Sequence, residues 1–269
     1  MASLPPDFRR MVAAASDGLV VLPALQAYLA RGKFSRSLKV SFEQHSLDSG
    51  PDGHFHPSSH PLMTARQLWY YLRYPEYMES REFGWMGMLS VTMGKAYHSF
   101  IQACMRDANL TLTPTELERE GWTLTRSGEC YLQDPETGSR GQCDGILKVM
   151  VRTADRSIWE FKTSNSMTIR SVSDLDLDAF IAKWPDYYAQ VQEYMRLSGL
   201  SMAVVTILAL GYPWEMREFH IPADPEFQAS VAEKYLAARA DEIPPACCMP
   251  TSKESRACPA RRICPVALA

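Results

Sequence analysis

The sequence contains no long apolar run, which limits where the protein can act. No stretch reaches the roughly 18–20 apolar residues that are needed to cross a bilayer. Charged residues are scattered through residues 1–33, which lack the compact apolar segment of a signal peptide. We therefore expect a cytoplasmic protein without membrane contacts.

An excess of positive charge is also missing, since 28 Lys and Arg residues face 31 Asp and Glu residues and the formal net charge is -3. This balance excludes a protein that coats nucleic acid by bulk electrostatics. It does not exclude an enzyme that processes DNA, because such an enzyme needs only local positive charge around a negative metal site. The G-x-x-x-x-G-K-[ST] phosphate-binding loop is absent, so any DNA unwinding has to come from a partner.

The cysteine count and the overall composition are those of a globular protein in a reducing compartment. Seven cysteines are an odd number, and without a secretory signal we expect no disulfide framework. With 269 residues, 46% hydrophobic and 22% charged, the chain can form one large domain with appendages. We expect an N-terminal helical region and loop at 1–62, a core at 63–243 and a Cys/Arg-rich tail at 244–269.

Hydrophobic periodicity and turn residues predict an α/β fold with a small mixed β-sheet flanked by helices. Thr64 is a candidate N-cap for a helix that stops near Pro75. The other expected elements are helices over 1–32, 83–110, 177–199 and 225–241, a loop over 46–62, and strands within 117–152 and over 157–164, 203–210 and 216–221.

Two of these strands carry charges among apolar residues. Because side chains alternate along a strand, Glu160 and Lys162 share one face while Trp159 and Phe161 share the other. If residues 142–149 pair antiparallel with 157–164, Asp144 lies beside Glu160. Two adjacent carboxylates repel unless a cation sits between them, and such oxygen ligands suit Mg²⁺ or Mn²⁺. The alternative is a solvated Glu-x-Lys pair on an exposed strand, with Asp144 in a turn.

Three further motifs accompany the Glu-x-Lys triplet, and all four occur in a fixed order. Together they resemble the PD-(D/E)xK nuclease superfamily, and within it the RecB-type branch, which includes CRISPR-associated and phage recombination nucleases. The resemblance covers residues 63–215 and implies a restriction-endonuclease-like core. The motifs are G-x-x-x-H at Gly94 to His98, G-x-x-D at Gly141 to Asp144, E-x-K at Glu160 to Lys162, and Q-x-x-x-Y at Gln190 to Tyr194.

The resemblance implies roles for five residues of the first three motifs. His98, Asp144, Glu160 and the main-chain carbonyl of Phe161 would hold Mg²⁺ or Mn²⁺, and Lys162 would position the attacking water. A lone helical histidine is otherwise more often an ordinary surface or core residue, so the role of His98 depends on its companions.

Candidate DNA contacts follow the Glu-x-Lys triplet. Gln190 and Tyr194 are four residues apart, so they share a helix face and can meet the same phosphate or base. The alternative for Tyr194 is a core-facing aromatic side chain. Thr163 and Ser164 are candidates for hydrogen bonds to the DNA backbone.

The C-terminal tail carries four cysteines that resemble part of the iron–sulfur motif of RecB-type nucleases. Cys258 and Cys264 match its final C-x₅-C spacing, whereas Ser255 and Tyr74 stand where two further ligands are expected. Cys247 and Cys248 are candidate substitutes in an iron–sulfur or zinc site. The alternative is that all four are reduced thiols.

The function implied by the resemblance is metal-dependent hydrolysis of DNA, by an exonuclease acting on DNA ends or single strands. It would serve recombination, repair or CRISPR-linked processing in a bacterial or phage-infected cell, alone or with a helicase or another partner. One alternative is a structure-specific endonuclease on the same fold. Another is a DNA-binding subunit without catalytic activity.

Overall fold

The computed structural model describes residues 18–31, 34, 52–78, 84–125, 128–211, 214–250 and 252–268. Residues 1–17 of the predicted N-terminal helix and residues 46–51 of the predicted loop lie outside this part of the chain. No helix within the described ranges is both long and apolar enough to span a bilayer.

Among the described residues, three helices of nine or more residues come before the sheets. They are α1 (Val21–Ala30), α2 (Ala65–Arg73) and α3 (Trp85–Asp107). The predicted cap of α2 is confirmed, because the Thr64 side chain accepts from the Gln67 N–H and the Gln67 side chain accepts from the Thr64 N–H. A short 3₁₀ turn at Pro75–Tyr77 follows α2 and ends it where the sequence predicts. With 23 residues, α3 is the long helix that the sequence predicts.

The described residues form seven strands in two sheets, and the predicted mixed α/β class is confirmed. After α4 (Pro114–Arg119), the chain forms an antiparallel sheet in the order β1-β2-β3 and a mixed sheet in the order β4-β5-β6-β7. In the mixed sheet only the β5–β6 pair is parallel. The strands are β1 (Thr123–Leu124), β2 (Cys130–Asp134), β3 (Ser139–Cys143), β4 (Gly145–Ile146), β5 (Ile158–Asn165), β6 (Met202–Leu210) and β7 (Met216–Pro222).

The prediction of one helix over 177–199 is wrong, because the chain forms two helices there. After the short α5 (Ser166–Arg170) come α6 (Leu177–Lys183) and α7 (Pro185–Ser198). Trp184 between them has a non-helical φ of -134° and ψ of 60°. The following proline disfavours helical geometry at this residue and lacks the N–H that a continuous helix would use.

The mixed sheet is covered on both faces. Trp159 and Phe161 point into a cluster with α1 and α3, whereas Ile158 joins a second cluster that includes Val191 of α7. Glu160 and Lys162 therefore lie on the face covered by α7. The predicted alternation of side chains along β5 is confirmed. Its charged side chains are covered by α7 and are not exposed on an open face of the sheet.

The loop before α2 and the C-terminal tail pack against helices. The predicted last helix is α8 (Pro225–Arg239), and Phe55 stacks on its Tyr235 with ring centroids 4.4 Å apart. The tail contains α9 (Lys253–Arg256) and α10 (Pro265–Leu268) and packs on Tyr70 of α2. Division of the chain at 62/63 and 243/244 stays a prediction.

A buried carboxyl group anchors α1 to the mixed sheet. Glu218 of β7 is fully buried and accepts hydrogen bonds from the backbone N–H groups of Val20, Val21 and Leu22. His220 Nε2 lies 2.6 Å from Glu218 Oε1. The first N–H groups of a helix have no acceptor within the helix. The carboxylate of Glu218 is the acceptor for these groups at the start of α1.

We expect Glu218→Ala to lower the free energy of unfolding by about 3 kcal/mol, because it leaves buried donors without an acceptor. Glu215→Ala is the matched control, since Glu215 pairs with Arg170 and Arg217 at the surface and its loss should cost less than about 1 kcal/mol. Urea denaturation followed by circular dichroism measures both. Equal losses in the two variants would contradict the anchoring role of Glu218.

Candidate active site

Asp144 occupies the break between β3 and β4, where the antiparallel sheet gives way to the mixed sheet. Gly145 pairs with Trp159, so Asp144 lies opposite Glu160 as the sequence predicts. Asp144 Oδ2 accepts from the Phe161 N–H at 2.7 Å. Because the N–H and C=O of one strand residue point to the same side, the carbonyl of Phe161 faces the same edge as the Asp144 carboxylate.

Glu160 is buried at 2% exposure and is held from two sides. Lys162 Nζ lies 2.8 Å from its Oε1, and Gln190 Nε2 donates to the same oxygen at 3.0 Å. Burial and the neighbouring Asp144 raise the pKa of Glu160 to about 7. Burial alone would lower the pKa of Lys162, but Glu160 and Asp144 outweigh it and raise this pKa, so Lys162 stays an ammonium group.

His98 reaches the carboxylates from α3. Its Nε2 lies 2.7 Å from Asp144 Oδ1, and its ring meets the Phe161 ring edge-on with centroids 5.8 Å apart. Burial lowers the pKa of His98, but Asp144 outweighs burial and the net shift is upward. Gly94 lies one turn before His98 on α3, and a Cβ added at this glycine would lie 3.1 Å from Thr163 Oγ1. The glycine of G-x-x-x-H thus permits the close approach of α3 to β5 that places His98 in the site.

The side chains of this site suit a divalent cation, although they do not form a preformed metal site. No three His, Cys, Asp or Glu side chains in the described ranges are arranged to hold a metal ion. His98 and Lys162 instead bond directly to the two carboxylates. The remaining oxygen of Glu160, Oε2, is buried and has no hydrogen-bond partner among these residues. A buried carboxylate oxygen without a partner, beside a second carboxylate and an imidazole, fits Mg²⁺ or Mn²⁺.

The four candidate DNA contacts lie in different surroundings. Gln190 and Tyr194 are buried and bonded to each other at 2.9 Å, and Gln190 also binds Glu160. Thr163 and Ser164 line an open groove beside the carboxylates, and Ser164 Oγ accepts from Trp184 Nε1 at 3.3 Å. The structure gives Gln190 a contact within the site, and contact of all four residues with DNA stays a prediction.

The groove begins at His98 and Lys162, which contact the carboxylates, runs along α3 and has a volume of about 600 Å³. Lys162 reaches it from β5 and Lys95 from α3. Lys95 is exposed and forms no ion pair with any residue that the structure describes. The groove is lined by Ser90, Val91, Gly94, Lys95, His98, Phe161, Lys162, Thr163, Ser164, Asn165, Tyr187 and Leu210.

Sequence reasoning missed two residues that contact the site. Gln102 is buried four residues after His98, and its Nε2 lies 3.4 Å from Asp144 Oδ1. Tyr187 lies over Lys162, with Nζ 5.3 Å from the ring centroid. Spacing carries a signal for both, since Gln102 follows His98 by one turn and Tyr187 precedes Gln190 by three residues.

The cysteine tail lies against α2, away from these carboxylates. Cys258 and Cys264 are buried, Cys248 is half-buried and Cys247 is exposed. Partial burial and the neighbouring Cys247 thiol raise the pKa of Cys248, and Cys258 and Cys264 add to the shift. The thiols are thus near one another, but they are not arranged as a metal site. Gln67 Nε2 contacts Cys258 Sγ at 3.6 Å.

Comparison with known proteins gives only distant similarities. No protein-family model matches the chain, and no curated protein matches it. Among solved structures, SSO0001 has 16% identity and a TM-score of 0.41, over 91% of this chain and 96% of that one. The alkaline exonuclease LHK-Exo from Laribacter hongkongensis has 14% identity and a TM-score of 0.39, over 69% and 86%.

A phage-related exonuclease from Haemophilus somnus 129PT has 14% identity and a TM-score of 0.37, over 65% of this chain and 77% of that one. Likeness at this level does not assign an activity to the chain. The residues of the site have to carry the functional argument.

Gln190→Met should lower the affinity for Mn²⁺ by about 10- to 100-fold, because Glu160 loses the donor that orients it. Gln192→Met is the matched control: Gln192 is equally buried on α7, but it bonds to Pro222 and Asp224 instead. Isothermal titration calorimetry measures both affinities. A similar loss in the two variants would show that damage to α7, rather than loss of the Glu160 contact, is responsible.

Affinity for Mn²⁺ should also rise with pH through the neutral range. The pKa values of His98 and Glu160 are both raised, so both groups keep protons to higher pH than usual. A metal ligand has to give up its proton, so binding should strengthen and proton release should decrease between about pH 6 and pH 8. Calorimetry in two buffers with different protonation enthalpies counts the released protons, and an affinity independent of pH would contradict this.

Proposed function

We propose that this protein is a metal-dependent DNA nuclease of the PD-(D/E)xK superfamily, similar to its RecB-type branch, which hydrolyses phosphodiester bonds at DNA ends or in single strands. One observation carries the proposal. Three separate segments supply two contacting pairs, His98 with Asp144 and Lys162 with Glu160, and Glu160 keeps a buried oxygen that has no partner among the described residues.

The carboxylates, the imidazole and the strand carbonyl form the metal-binding part of the proposed site. Asp144, Glu160, His98 and the carbonyl of Phe161 would hold Mg²⁺ or Mn²⁺. When bound, the ion supplies stabilisation of the negative charge on the phosphate and a lower pKa for a bound water. The hydrogen bonds from the Phe161 N–H to Asp144 and from Gln190 to Glu160 add neutral donors to the contacts that His98 and Lys162 make with the same carboxylates.

Lys162 acts in this proposal through its positive charge. The raised pKa keeps Nζ protonated, so it donates hydrogen bonds rather than accepting a proton. One donor binds Glu160, and the groove beside Lys162 is the place where a phosphate oxygen and the attacking water would meet the others. Lys162 therefore positions the water and balances the phosphate charge.

The groove supports DNA as the substrate. Lys95 and the hydroxyls of Thr163 and Ser164 line it next to Lys162, and cationic and hydroxyl groups are the usual partners of the phosphate backbone. Exonucleolytic cleavage, action in bacterial or phage-infected cells, and work with a helicase, recombination or CRISPR partner belong to the same proposal. An iron–sulfur or zinc site at the cysteines remains a prediction from the sequence.

The test uses end-labelled linear single-stranded DNA and closed circular DNA, each with Mg²⁺, Mn²⁺ or EDTA. We expect the linear substrate to be degraded only with metal. Lys162→Ala should lower the rate by about 10²- to 10³-fold, because the attacking water and the phosphate lose a positioned charged donor. The control is Lys183→Ala, which removes an exposed lysine at the end of α6.

The outcomes of this experiment distinguish an exonuclease from an endonuclease, from a DNA-binding subunit and from a contaminating nuclease. Cutting of the circular substrate would make the protein an endonuclease on the same fold. Absence of hydrolysis by folded protein in every metal, together with tight DNA binding, would overturn the enzyme and favour a DNA-binding subunit. Hydrolysis that survives Lys162→Ala would point to a contaminating nuclease.

A further inference from the structure

One face of α7 contacts both charged residues of the Glu-x-Lys triplet. Tyr187, Gln190 and Tyr194 are spaced by three and four residues, so they lie in one row along the helix. Gln190 binds Glu160, as described above. One turn before it, the ring of Tyr187 lies over Lys162 with Nζ 5.3 Å from the ring centroid.

The ring of Tyr187 is fixed to the strand that carries Lys162. The Tyr187 hydroxyl donates to the main-chain carbonyl of Thr163 at 3.3 Å, and Thr163 directly follows Lys162 on β5. Tyr187 also lines the groove. The ring is therefore bonded to β5 at its hydroxyl end, while the ammonium group of Lys162 lies over the ring.

Lys162 needs such a constraint. A lysine side chain is a flexible four-carbon chain that ends in a strongly hydrated point charge, and holding it in one geometry costs conformational entropy. Only 18% of this side chain is exposed, and Glu160 uses a single donor of the three on Nζ. A ring face attracts an ammonium group, and the attraction grows when water is excluded.

We propose that Tyr187 is a positioning residue for Lys162. Its ring holds the ammonium group against Glu160 and leaves the remaining donors directed into the groove, while its hydroxyl fixes the ring. The catalytic consequence rests on the proposed nuclease function, in which Lys162 orients the attacking water. The positioning itself is a property of the folded chain and can be measured without any reaction.

The neighbouring tyrosine provides the matched control. Tyr188 is also half-buried on α7, but its hydroxyl donates to Asp224 at 2.9 Å and its ring meets Phe227 with centroids 5.5 Å apart. Tyr188→Leu therefore removes a packed aromatic from the same helix turn without touching Lys162. Tyr187→Leu removes the ring over Lys162, and Tyr187→Phe keeps the ring but loses the hydrogen bond to Thr163.

The first measurement is the rate at which acetic anhydride acetylates Lys162, read by peptide mass spectrometry on the full chain and normalised to Lys183. We expect Tyr187→Leu to raise this rate by about 5- to 30-fold, from the usual strength of a partly desolvated cation–ring contact. Tyr187→Phe should stay within about threefold of the unmodified protein, because the ring remains. Tyr188→Leu should leave the rate unchanged. An unchanged rate in Tyr187→Leu would overturn the proposal.

The second measurement is hydrolysis of end-labelled single-stranded DNA. Tyr187→Leu should lower kcat by about tenfold or more with little change in KM, and Tyr187→Phe should restore most of kcat. A raised KM with unchanged kcat would make Tyr187 a substrate contact and overturn the positioning role. An equal loss in Tyr188→Leu would do the same by showing a merely structural effect. If the unmodified protein does not hydrolyse DNA, the nuclease proposal fails, and acetylation alone decides the role of Tyr187.

Discussion

Two buried carboxylates side by side are the constraint on which the site depends. Burying a charged group costs free energy, and two like charges close together repel each other. Asp144 and Glu160 therefore need hydrogen-bond donors and positive charges as partners. The partners come from three elements: an N–H and an ammonium group from β5, an imidazole from α3 and an amide from α7. Apolar clusters pack helices on both faces of the mixed sheet, and this packing brings the partners together.

Interruptions in regular structure make this convergence geometrically feasible. The chain leaves strand geometry between β3 and β4, and there the carboxylate of Asp144, instead of a neighbouring strand, accepts the N–H of Phe161. The helical segment is likewise broken at Trp184. The helix that follows, α7, contacts β5 through Tyr187 and Gln190. Gly94 removes the side chain that would hold α3 away from Thr163. At each of these three positions, a local departure from regular structure allows a side chain of the site to reach its partner.

The chemistry-bearing part of the site could be predicted from the sequence, because it depends on short-range rules. Strand alternation places Glu160 with Lys162, and antiparallel pairing places Asp144 opposite Glu160. What Gln190 binds could not be predicted, because helical spacing shows which residues share a face but not what that face packs against. The break at Trp184 had a signal in the following proline, but the apolar periodicity on both sides outweighed it. The tail matches the iron–sulfur motif only in the C-x₅-C spacing of Cys258 and Cys264, and the described residues hold no group of three metal-ligand side chains there.

The long sequence distances between partners affect how the protein matures. His98 and Asp144 are 46 positions apart, Glu160 and Gln190 are 30 apart, and Glu218 reaches the start of α1 across 198 positions. Such contacts form late, since the chain has to close large loops before they stabilise it. A truncated fragment that ends before α7 contains His98, Asp144, Glu160 and Lys162 but lacks Gln190, so it cannot complete the contacts around Glu160. The full arrangement of the site therefore requires the elements on both sides of β5.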